Sequence, residues 1–223
     1  CASEMPTKGE TGRKMYNNNI KMMKELLFFA EQKNVAYFFN MSSMSIYGNI
    51  KRSPVKVSSR SISPNLYGQS KIINEKLLEQ YCYKKKILCI SFRLPGVVGK
   101  KSHSNFISNS IKILKNHKEL KVFNQHSQFN NILLVSDLSK LILKIIFNNK
   151  IKKKNYRLNI ASKNPIKMYS LINFLKQKLI SKSKIKWVKS KNKSFLINFE
   201  ETKKLGFIPK TTKQSLRDLV KLF

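Results

Sequence analysis

The spacing of apolar residues over the first hundred positions predicts alternating helices and strands. Between residues 15 and 33 apolar side chains recur at helical intervals, namely at Met15, Ile20, Met23, Leu26, Leu27 and Ala30. A short continuous apolar run follows directly, from Val35 to Phe39. Its length and continuity predict a strand that is covered on both faces.

The same order of elements then repeats. Residues 48–66 are rich in Ser, Pro and Asn and predict a long loop. Tyr67 to Tyr83 predicts a helix, whose buried side is expected to carry Ile72, Ile73, Leu77 and Leu78. Ile87 to Phe92 predicts a second buried strand, which Pro95-Gly96 would end. Such alternation indicates right-handed crossovers and a parallel sheet with helices on both faces.

Shorter and more mixed elements follow Val97, so this part is expected to supply some sheet and a smaller lobe. Helices are predicted over 104–116, 137–148 and 167–180, and strands over 129–135, 156–160 and 184–188. The length of 223 residues suits one domain, or one domain with a small appendage, and 41% hydrophobic residues allow a buried core. No stretch approaches the ~20 apolar residues of a membrane span. Because the chain opens at Cys1-Ala2-Ser3 without a secretory signal, we expect it to start within a longer protein.

A formal charge of +34 raises the question of a nucleic-acid partner. The alternative is a lysine-rich composition of the kind found in AT-rich genomes. The lysines are scattered over every segment, and only Lys84–Lys86 and Lys152–Lys154 form short runs. Basic residues interleaved with aromatic ones, as on a single-strand platform, are absent from the sequence. We therefore favour the compositional interpretation, in which nucleic acid is not a partner and only weak attraction to anions remains.

The cysteines and histidines do not favour a metal site. The three cysteines form an odd set without a close pair, and the three histidines are not at ligand spacing. Reduced thiols in a cytoplasmic protein are the simpler interpretation.

Three short segments carry candidate chemistry. Ser43 follows the first predicted strand, and ligands of an open parallel sheet bind beyond the carboxyl ends of its strands. Tyr67 and Lys71 are four residues apart, which places both on one face of a helix. The turn from Phe92 to Gly99 follows the second strand. Each segment alone is weak, because a Tyr-x-x-x-Lys pair arises by chance and a Ser-Ser pair often only caps a helix. Their shared order and their positions at strand ends favour one common crevice.

At these segments the chain resembles the NAD-dependent epimerase/dehydratase family, the extended short-chain dehydrogenases that act on nucleotide-activated sugars. The residues from Phe39 to Gly48 are similar to its Ser-Ser-x-x-x-Tyr-Gly segment, and those from Pro64 to Glu75 to its Pro-x-x-Tyr-x-x-Ser-Lys-x-x-x-Glu helix. Further similarities lie at Asn19 to Ala30, Arg93 to Gly99, Val135 to Leu138, Leu205 to Pro209 and Ser215 to Asp218. The resemblance covers almost the whole chain.

The resemblance implies a fold and a domain arrangement. The fold class is α/β, with a Rossmann-like doubly wound parallel sheet that lacks its N-terminal part and a smaller C-terminal α+β substrate lobe. Residues 1–100 would form a partial NAD(P)-binding domain with the catalytic residues. Residues 101–223 would be mainly the substrate-binding lobe, with some returning Rossmann elements. A homodimer through the Met15–Lys33 and Tyr67 helices is also implied.

The resemblance also implies roles for particular residues. The catalytic set would be Ser43, Tyr67 and Lys71. Contacts with NAD or NADP would come from Ala2, Ser3, Asn19, Tyr67, Lys71, Leu94 and Pro95. Contacts with the nucleotide sugar would come from Ser43, Met44, Asn105 and Phe106. Tyr67 would take a proton from a sugar hydroxyl, with Lys71 and the oxidised nicotinamide lowering the phenol pKa from ~10 and Ser43 donating a hydrogen bond to the reacting oxygen.

Several positions depart from the family pattern. Only seven glycines are present and none form the glycine-rich pyrophosphate turn, so we expect this chain alone to bind NAD(P) weakly. Gly96 replaces an asparagine, and Asn130 replaces the arginine that often clamps the substrate diphosphate. Met44 and Ser45 replace the Asp-Glu pair of dehydratases, which favours an epimerase or keto-sugar reductase. The alternatives are an inactive fragment, or a basic relative that binds anions or nucleic acid.

Overall fold

The computed structural model describes residues 3–5, 12–100, 102, 105–148, 151–152, 154–190 and 194–223. Two compact units make up the chain. The first comprises Cys1–Ile50, Lys56–Leu94 and Lys144–Asn159, and the second Lys51–Val55, Pro95–Leu143 and Ile160–Phe223.

The described residues contain helices and strands in mixed order, alternating over residues 12–94. The helices are α1 (Gly12–Gln32), α2 (Leu66–Lys85), α3 (Phe106–Lys115), α4 (Val135–Ile146), α5 (Met168–Lys178), α6 (Glu200–Lys204) and α7 (Thr212–Val220), with a 3₁₀ turn at Met44–Tyr47. The strands are β1 (Tyr37–Ser43), β2 (Leu88–Leu94), β3 (Gly96–Val98), β4 (Leu120–Phe123), β5 (Gln128–Phe129), β6 (Ile132–Leu134), β7 (Asn155–Asn159), β8 (Ile166–Lys167) and β9 (Ile185–Val188). None of the described helices has the length and apolar character needed to cross a membrane.

The first unit is built on a three-stranded parallel sheet in the order β1-β2-β7. The register pairs Ser43 of β1 with Leu94 of β2, so the two strands end side by side. Every residue of β2 before Leu94 is buried, as expected for a central parallel strand. This sheet and its helices confirm the predicted α/β class with a Rossmann-like parallel arrangement.

The first strand differs from its prediction in extent and in burial. It runs to Ser43, and its leading aromatic residues are not covered on both faces: Tyr37 is 37% exposed, and Phe38 and Phe39 are half-buried. The physical reason is its place in the sheet, since β1 pairs with β2 alone among the described strands. A continuous apolar run therefore does not distinguish a central strand from one with an open edge.

Helices α1 and α2 pack against each other through an apolar cluster. Met23, Leu27 and Ala30 of α1 meet Leu78 and Tyr81 of α2. The prediction for α2 was wrong for three of its four apolar positions, because Ile72, Ile73 and Leu77 are only half-buried. The fully buried residues of the first half of α2 are polar or small, namely Gly68, Ser70, Lys71, Asn74 and Glu75. A helix face devoted to polar contacts carries little hydrophobic periodicity for a sequence pattern to detect.

The second unit contains three strand pairs around a separate apolar core. β3 pairs with β6 and β4 with β9 in parallel, whereas β5 and β8 are antiparallel. Its buried core draws on Ile107 and Leu114 of α3, Leu171 of α5 and Leu216 of α7. Five elements of the second unit, β3, β4, β8, α6 and α7, were not predicted as such. Helix α7 begins with a capping box in which the Thr211 and Gln214 side chains and main-chain N–H groups bond reciprocally.

Candidate active site

The start of α2 lies against the turn that follows β1. The Asn65 side chain caps α2 by accepting a hydrogen bond from the Gly68 N–H at 2.9 Å. A Cβ atom on Gly68 would lie 2.3 Å from the main-chain oxygen of Ser45, so only glycine permits this approach. As a result, the residue before Gly68, Tyr67, comes close to the residues that end β1.

The Ser43 side chain lies within hydrogen-bonding reach of the Tyr67 phenol, and this interaction lowers the phenol pKa. The Ser43 oxygen also accepts a hydrogen bond from the Ser45 N–H at 3.1 Å and lies 3.1 Å from the Ser45 hydroxyl. These contacts fix the Ser43 rotamer at the N-terminus of the 3₁₀ turn.

Lys71 lies beneath the same pair and is only 3% exposed. Its ammonium donates to the Ser3 hydroxyl at 2.8 Å and to the Met41 carbonyl at 3.0 Å, and it lies 5.5 Å from the centroid of the Tyr67 ring. Burial lowers the Lys71 pKa from 10.5 to about 8. The structure therefore brings the three predicted catalytic side chains together.

The Tyr67 pKa is raised in the chain itself, whereas the lowered pKa predicted from the sequence included the charge of an oxidised nicotinamide. Burial of the phenol raises its pKa above 10, and the Ser43 hydrogen bond offsets only part of that rise. Desolvation of the phenolate thus outweighs the neighbouring groups of the chain itself.

Of the residues predicted to bind the cofactor, one bonds directly to Lys71 and another holds a neighbouring segment in place. Ser3 contacts Lys71 directly. Asn19 is 2% exposed, and its side-chain oxygen accepts bonds from the Ser3 hydroxyl at 3.1 Å and from the Glu4 N–H at 2.8 Å. Asn19 therefore holds the Ser3 segment in place rather than presenting its own amide. Leu94 is the last residue of β2, Pro95 follows it, both are half-buried, and Ala2 lies outside the described residues.

The donors at this end of the sheet fit a nicotinamide ribose. Two of the three N–H bonds of Lys71 point to Ser3 and Met41, and no carboxylate of the described residues is bonded to its ammonium. A buried cation without a counter-charge is stabilised by further acceptors such as ribose hydroxyls. Ser3, Asn19 and Met41 also line a cavity of about 390 Å³ beside β1. No described cluster of three or more His, Cys, Asp and Glu side chains has a geometry suited to a metal ion.

The predicted substrate residues lie in both units. Met44 in the first unit is buried. In the second unit, Asn105 caps α3 by accepting from the Ser108 N–H at 3.0 Å and donates to the Val97 carbonyl at 3.0 Å. Phe106 is partly exposed, and its ring centroid lies 6.2 Å from that of Phe129.

The two departures on the substrate side have local structural explanations. Asn130 is 2% exposed, and its amide forms two hydrogen bonds with the main chain of Ile197, at 2.9 and 3.0 Å. Asn130 therefore anchors the main chain at Ile197 and does not take the place of a charged residue that would bind a diphosphate. At Gly96 a Cβ atom would lie 3.2 Å from the Asn131 carbonyl, so a larger residue would be crowded by main chain.

The sequence prediction assigned no role to three residues that structure the site. Glu75, Arg93 and Tyr47 appeared only as letters of the family motifs, yet all three are buried, and Arg93 donates hydrogen bonds to the other two. The detectable signal was the position of a carboxylate one helical turn after Lys71, on the face that α2 buries.

Comparisons with known proteins agree with this geometry. The family model for the NAD dependent epimerase/dehydratase family matches residues 2–161. No curated protein matches the chain by sequence.

Solved structures of similar fold include several sugar-nucleotide enzymes. UDP-N-acetylglucosamine 4-epimerase from Methanobrevibacter ruminantium M1, in complex with UDP-N-acetylmuramic acid, has a TM-score of 0.84 at 19% identity, over 100% of this chain and 74% of that one. UDP-glucuronic acid 4-epimerase from Bacillus cereus, in complex with NAD, has a TM-score of 0.82 at 19% identity, over 98% and 72%. RMD from Pseudomonas aeruginosa, complexed with NADPH, has a TM-score of 0.79 at 18% identity, over 100% and 79%.

The match to the family model spans most of the chain and includes Ser43, Tyr67 and Lys71. The chain therefore belongs to the NAD-dependent epimerase/dehydratase family.

Proposed function

We propose that this chain carries the catalytic site of an NAD(P)-dependent epimerase or keto-sugar reductase acting on a nucleotide-activated sugar. The observation that carries the proposal is the cluster in which the Ser43 side chain interacts with the Tyr67 phenol and the buried Lys71 ammonium lies 5.5 Å from the centroid of the Tyr67 ring. A phenol and a hydroxyl beside a buried cation could together bind and deprotonate a hydroxyl group of a substrate.

Each side chain has one task in this mechanism. Tyr67 accepts the hydroxyl proton of the sugar, and Ser43 donates a hydrogen bond to the same oxygen as its bond to carbon becomes a carbonyl. Lys71 binds the ribose hydroxyls and keeps positive charge near the phenol. A bound nicotinamide would supply the two-electron chemistry at the carbon that bears this hydroxyl. In an epimerase, Tyr67 would also return the proton to the same oxygen.

The phenol must be activated by binding. Its pKa is raised in the chain itself, because burial disfavours the phenolate. A positively charged nicotinamide beside Tyr67 would favour the phenolate. Tyr67 would then become a stronger base only when the cofactor is bound.

The nucleotide-sugar substrate class is supported by the ligands of similar structures, and the residues after Ser43 favour an epimerase or reductase over a dehydratase. UDP-sugars are the ligands named for similar epimerase structures. Met44 and Ser45 follow Ser43 where dehydratases carry an acid pair, so the elimination step lacks its carboxylates. NAD and NADPH both occur in structures of similar fold, which leaves the choice of nicotinamide to experiment.

A homodimer through α1 and α2 is part of the proposal. Leu26, Phe28 and Phe29 of α1 are 41%, 65% and 56% exposed, an unusual apolar surface for one helix.

The proposal is tested on the natural protein that carries this chain. UDP-, dTDP- and GDP-hexoses are incubated with NAD⁺, and the corresponding keto-sugars with NADPH, and products are separated by chromatography. We expect conversion of at least one sugar nucleotide, and a kcat that falls by about 10²- to 10⁴-fold in Tyr67→Phe, as for loss of a general base.

Tyr83→Phe is the matched control, because Tyr83 lies on the same helix and is 89% exposed. It should retain wild-type turnover. Equal turnover by wild type and Tyr67→Phe would reject the assignment of Tyr67.

A further inference from the structure

A buried ion pair joins α2 to β2 behind the candidate active site. Glu75 and Arg93 form two charge-assisted bonds, Arg93 Nε to Oε1 at 3.0 Å and Nη2 to Oε2 at 2.7 Å. The side chains are 5% and 9% exposed. Ser42 donates to the same carboxylate at 2.6 Å, and Arg157 Nε lies 3.6 Å from it.

Arg93 extends this network to the turn after Ser43. Its Nη1 donates to the Tyr47 hydroxyl and to the Val57 carbonyl, both at 2.8 Å. The guanidinium also lies 5.3 Å from the centroid of the Tyr47 ring. Tyr47 in turn donates to the Asn159 side-chain oxygen of β7 at 2.8 Å.

The network touches every segment that holds a member of the catalytic set. Ser42 directly precedes Ser43 on β1, and Tyr47 ends the 3₁₀ turn that Ser43 caps. Glu75 lies one helical turn beyond Lys71 and two beyond Tyr67 on α2. Arg93 is therefore bonded, directly or through one carboxylate, to both sides of the Ser43–Tyr67 contact.

Stability alone is a poor explanation for such a network. Burying a carboxylate and a guanidinium is unfavourable because both ions lose their hydration, and packed apolar residues at the same positions are often at least as stable. What directional bonds add is a fixed distance, because a bidentate guanidinium–carboxylate pair tolerates little displacement. A fixed distance matters most where a proton is transferred between two neighbouring elements.

We propose that Glu75, Arg93 and Tyr47 are positioning residues that set the distance between the Ser43 hydroxyl and the Tyr67 phenol. The proposal rests on the proposed function, since its kinetic readout is the turnover that Tyr67 supports. None of the three side chains touches substrate in this role. Their effect passes through the turn on one side and through α2 on the other.

Two mild variants test it in the natural protein. Tyr47→Phe removes one hydroxyl, and Arg93→Lys keeps the charge but loses the bidentate fork. We expect each to lower kcat by about 10- to 100-fold, the effect of a small misplacement, with KM within about twofold of wild type. Arg157→Lys is the control: Arg157 contacts the same carboxylate only at 3.6 Å and is 34% exposed, so its kcat should stay near wild type.

A double-mutant cycle separates positioning from general weakening of the fold. If Tyr47 acts through Ser43, Tyr47→Phe should have little further effect on kcat in a Ser43→Ala background. Independent, multiplicative losses would overturn the proposal, as would wild-type kcat in both single variants. Loss of activity in Tyr67→Phe together with either result would leave the proposed function intact while rejecting the positioning role.

Crystal structures of wild type and the two variants give a readout that needs no turnover. The expected result is that the Ser43 and Tyr67 oxygens move out of hydrogen-bonding range in Tyr47→Phe or Arg93→Lys. An unchanged Ser43–Tyr67 bond in both variants would overturn the proposal even if no substrate has been found.

Discussion

At the scale of single residues, Lys71 combines deep burial with neutral partners. Its ammonium is bonded to a hydroxyl and a carbonyl, and burial lowers its pKa from 10.5 to about 8. Part of the population is then uncharged in the absence of ligand at mildly alkaline pH. Acceptors supplied by a bound ribose would restore the charged form, which couples cofactor binding to protonation.

The lowered Lys71 pKa predicts a specific pH dependence of stability. Between pH 8 and 10.5 the unfolded chain binds more protons at this position than the folded chain, so the free energy of unfolding rises with pH. The quantity to measure is the difference in unfolding free energy between wild type and Lys71→Met, by urea denaturation at several pH values, which cancels the other lysines. We expect this difference to favour wild type increasingly from pH 8 upward. A difference that is flat or falls over that range would contradict the assignment.

At the residue scale, the sequence predicted that Ser43, Tyr67 and Lys71 lie together, and their catalytic roles belong to the proposed function. The order of Ser43, Tyr67 and Lys71 was enough to place them at neighbouring element ends, because strand ends and helical turns have fixed geometry. The direction of the Tyr67 pKa shift was not predictable, since it depends on burial. The roles of Arg93 and Glu75 were missed for a related reason: a charged pair in the sequence looks solvated until the fold shows that it is buried.

At the scale of elements, the contact between α2 and the 3₁₀ turn depends on Gly68. A side chain there would collide with the Ser45 carbonyl, which is main chain and has no rotamer to adopt. The contact sets how close Tyr67 comes to Ser43, so backbone packing and site geometry are linked at this point.

Gly68→Ala is therefore expected to destabilise the chain by about 1–3 kcal/mol, as overpacking does. Gly12→Ala at the start of α1 is the matched control, because its Cβ would lie 3.2 Å from the flexible end of Leu66. That variant should stay within about 0.5 kcal/mol of wild type. Urea unfolding measures both, and equal costs would show that the Ser45 contact does not restrict position 68.

Sequence patterns located the elements of the first unit better than those of the second. α1, α2 and β2 are long or continuous enough to give clear periodicity. β5 and β8 have two residues each and α6 has five, too few for a hydrophobic period to appear. The polar buried face of α2 was misjudged because the predictive rule assumes that buried helix faces are apolar.

At the scale of the whole molecule, the charge of +34 suits the anionic ligands of the proposed function. Scattered lysines attract phosphates only weakly and are screened by salt. If the substrate is a nucleotide sugar, a defined set of side chains would have to orient it. Asn130, at the position where family members often carry a diphosphate-binding arginine, instead hydrogen-bonds the main chain of Ile197.

The most direct test of the central claim is a crystal structure of the natural protein with a nicotinamide cofactor and a sugar nucleotide that it binds. We predict that one sugar hydroxyl lies about 2.6–3.2 Å from both the Tyr67 phenol and the Ser43 hydroxyl, with the Lys71 ammonium on the nicotinamide ribose. A complex in which the sugar contacts neither Tyr67 nor Ser43 would contradict the account.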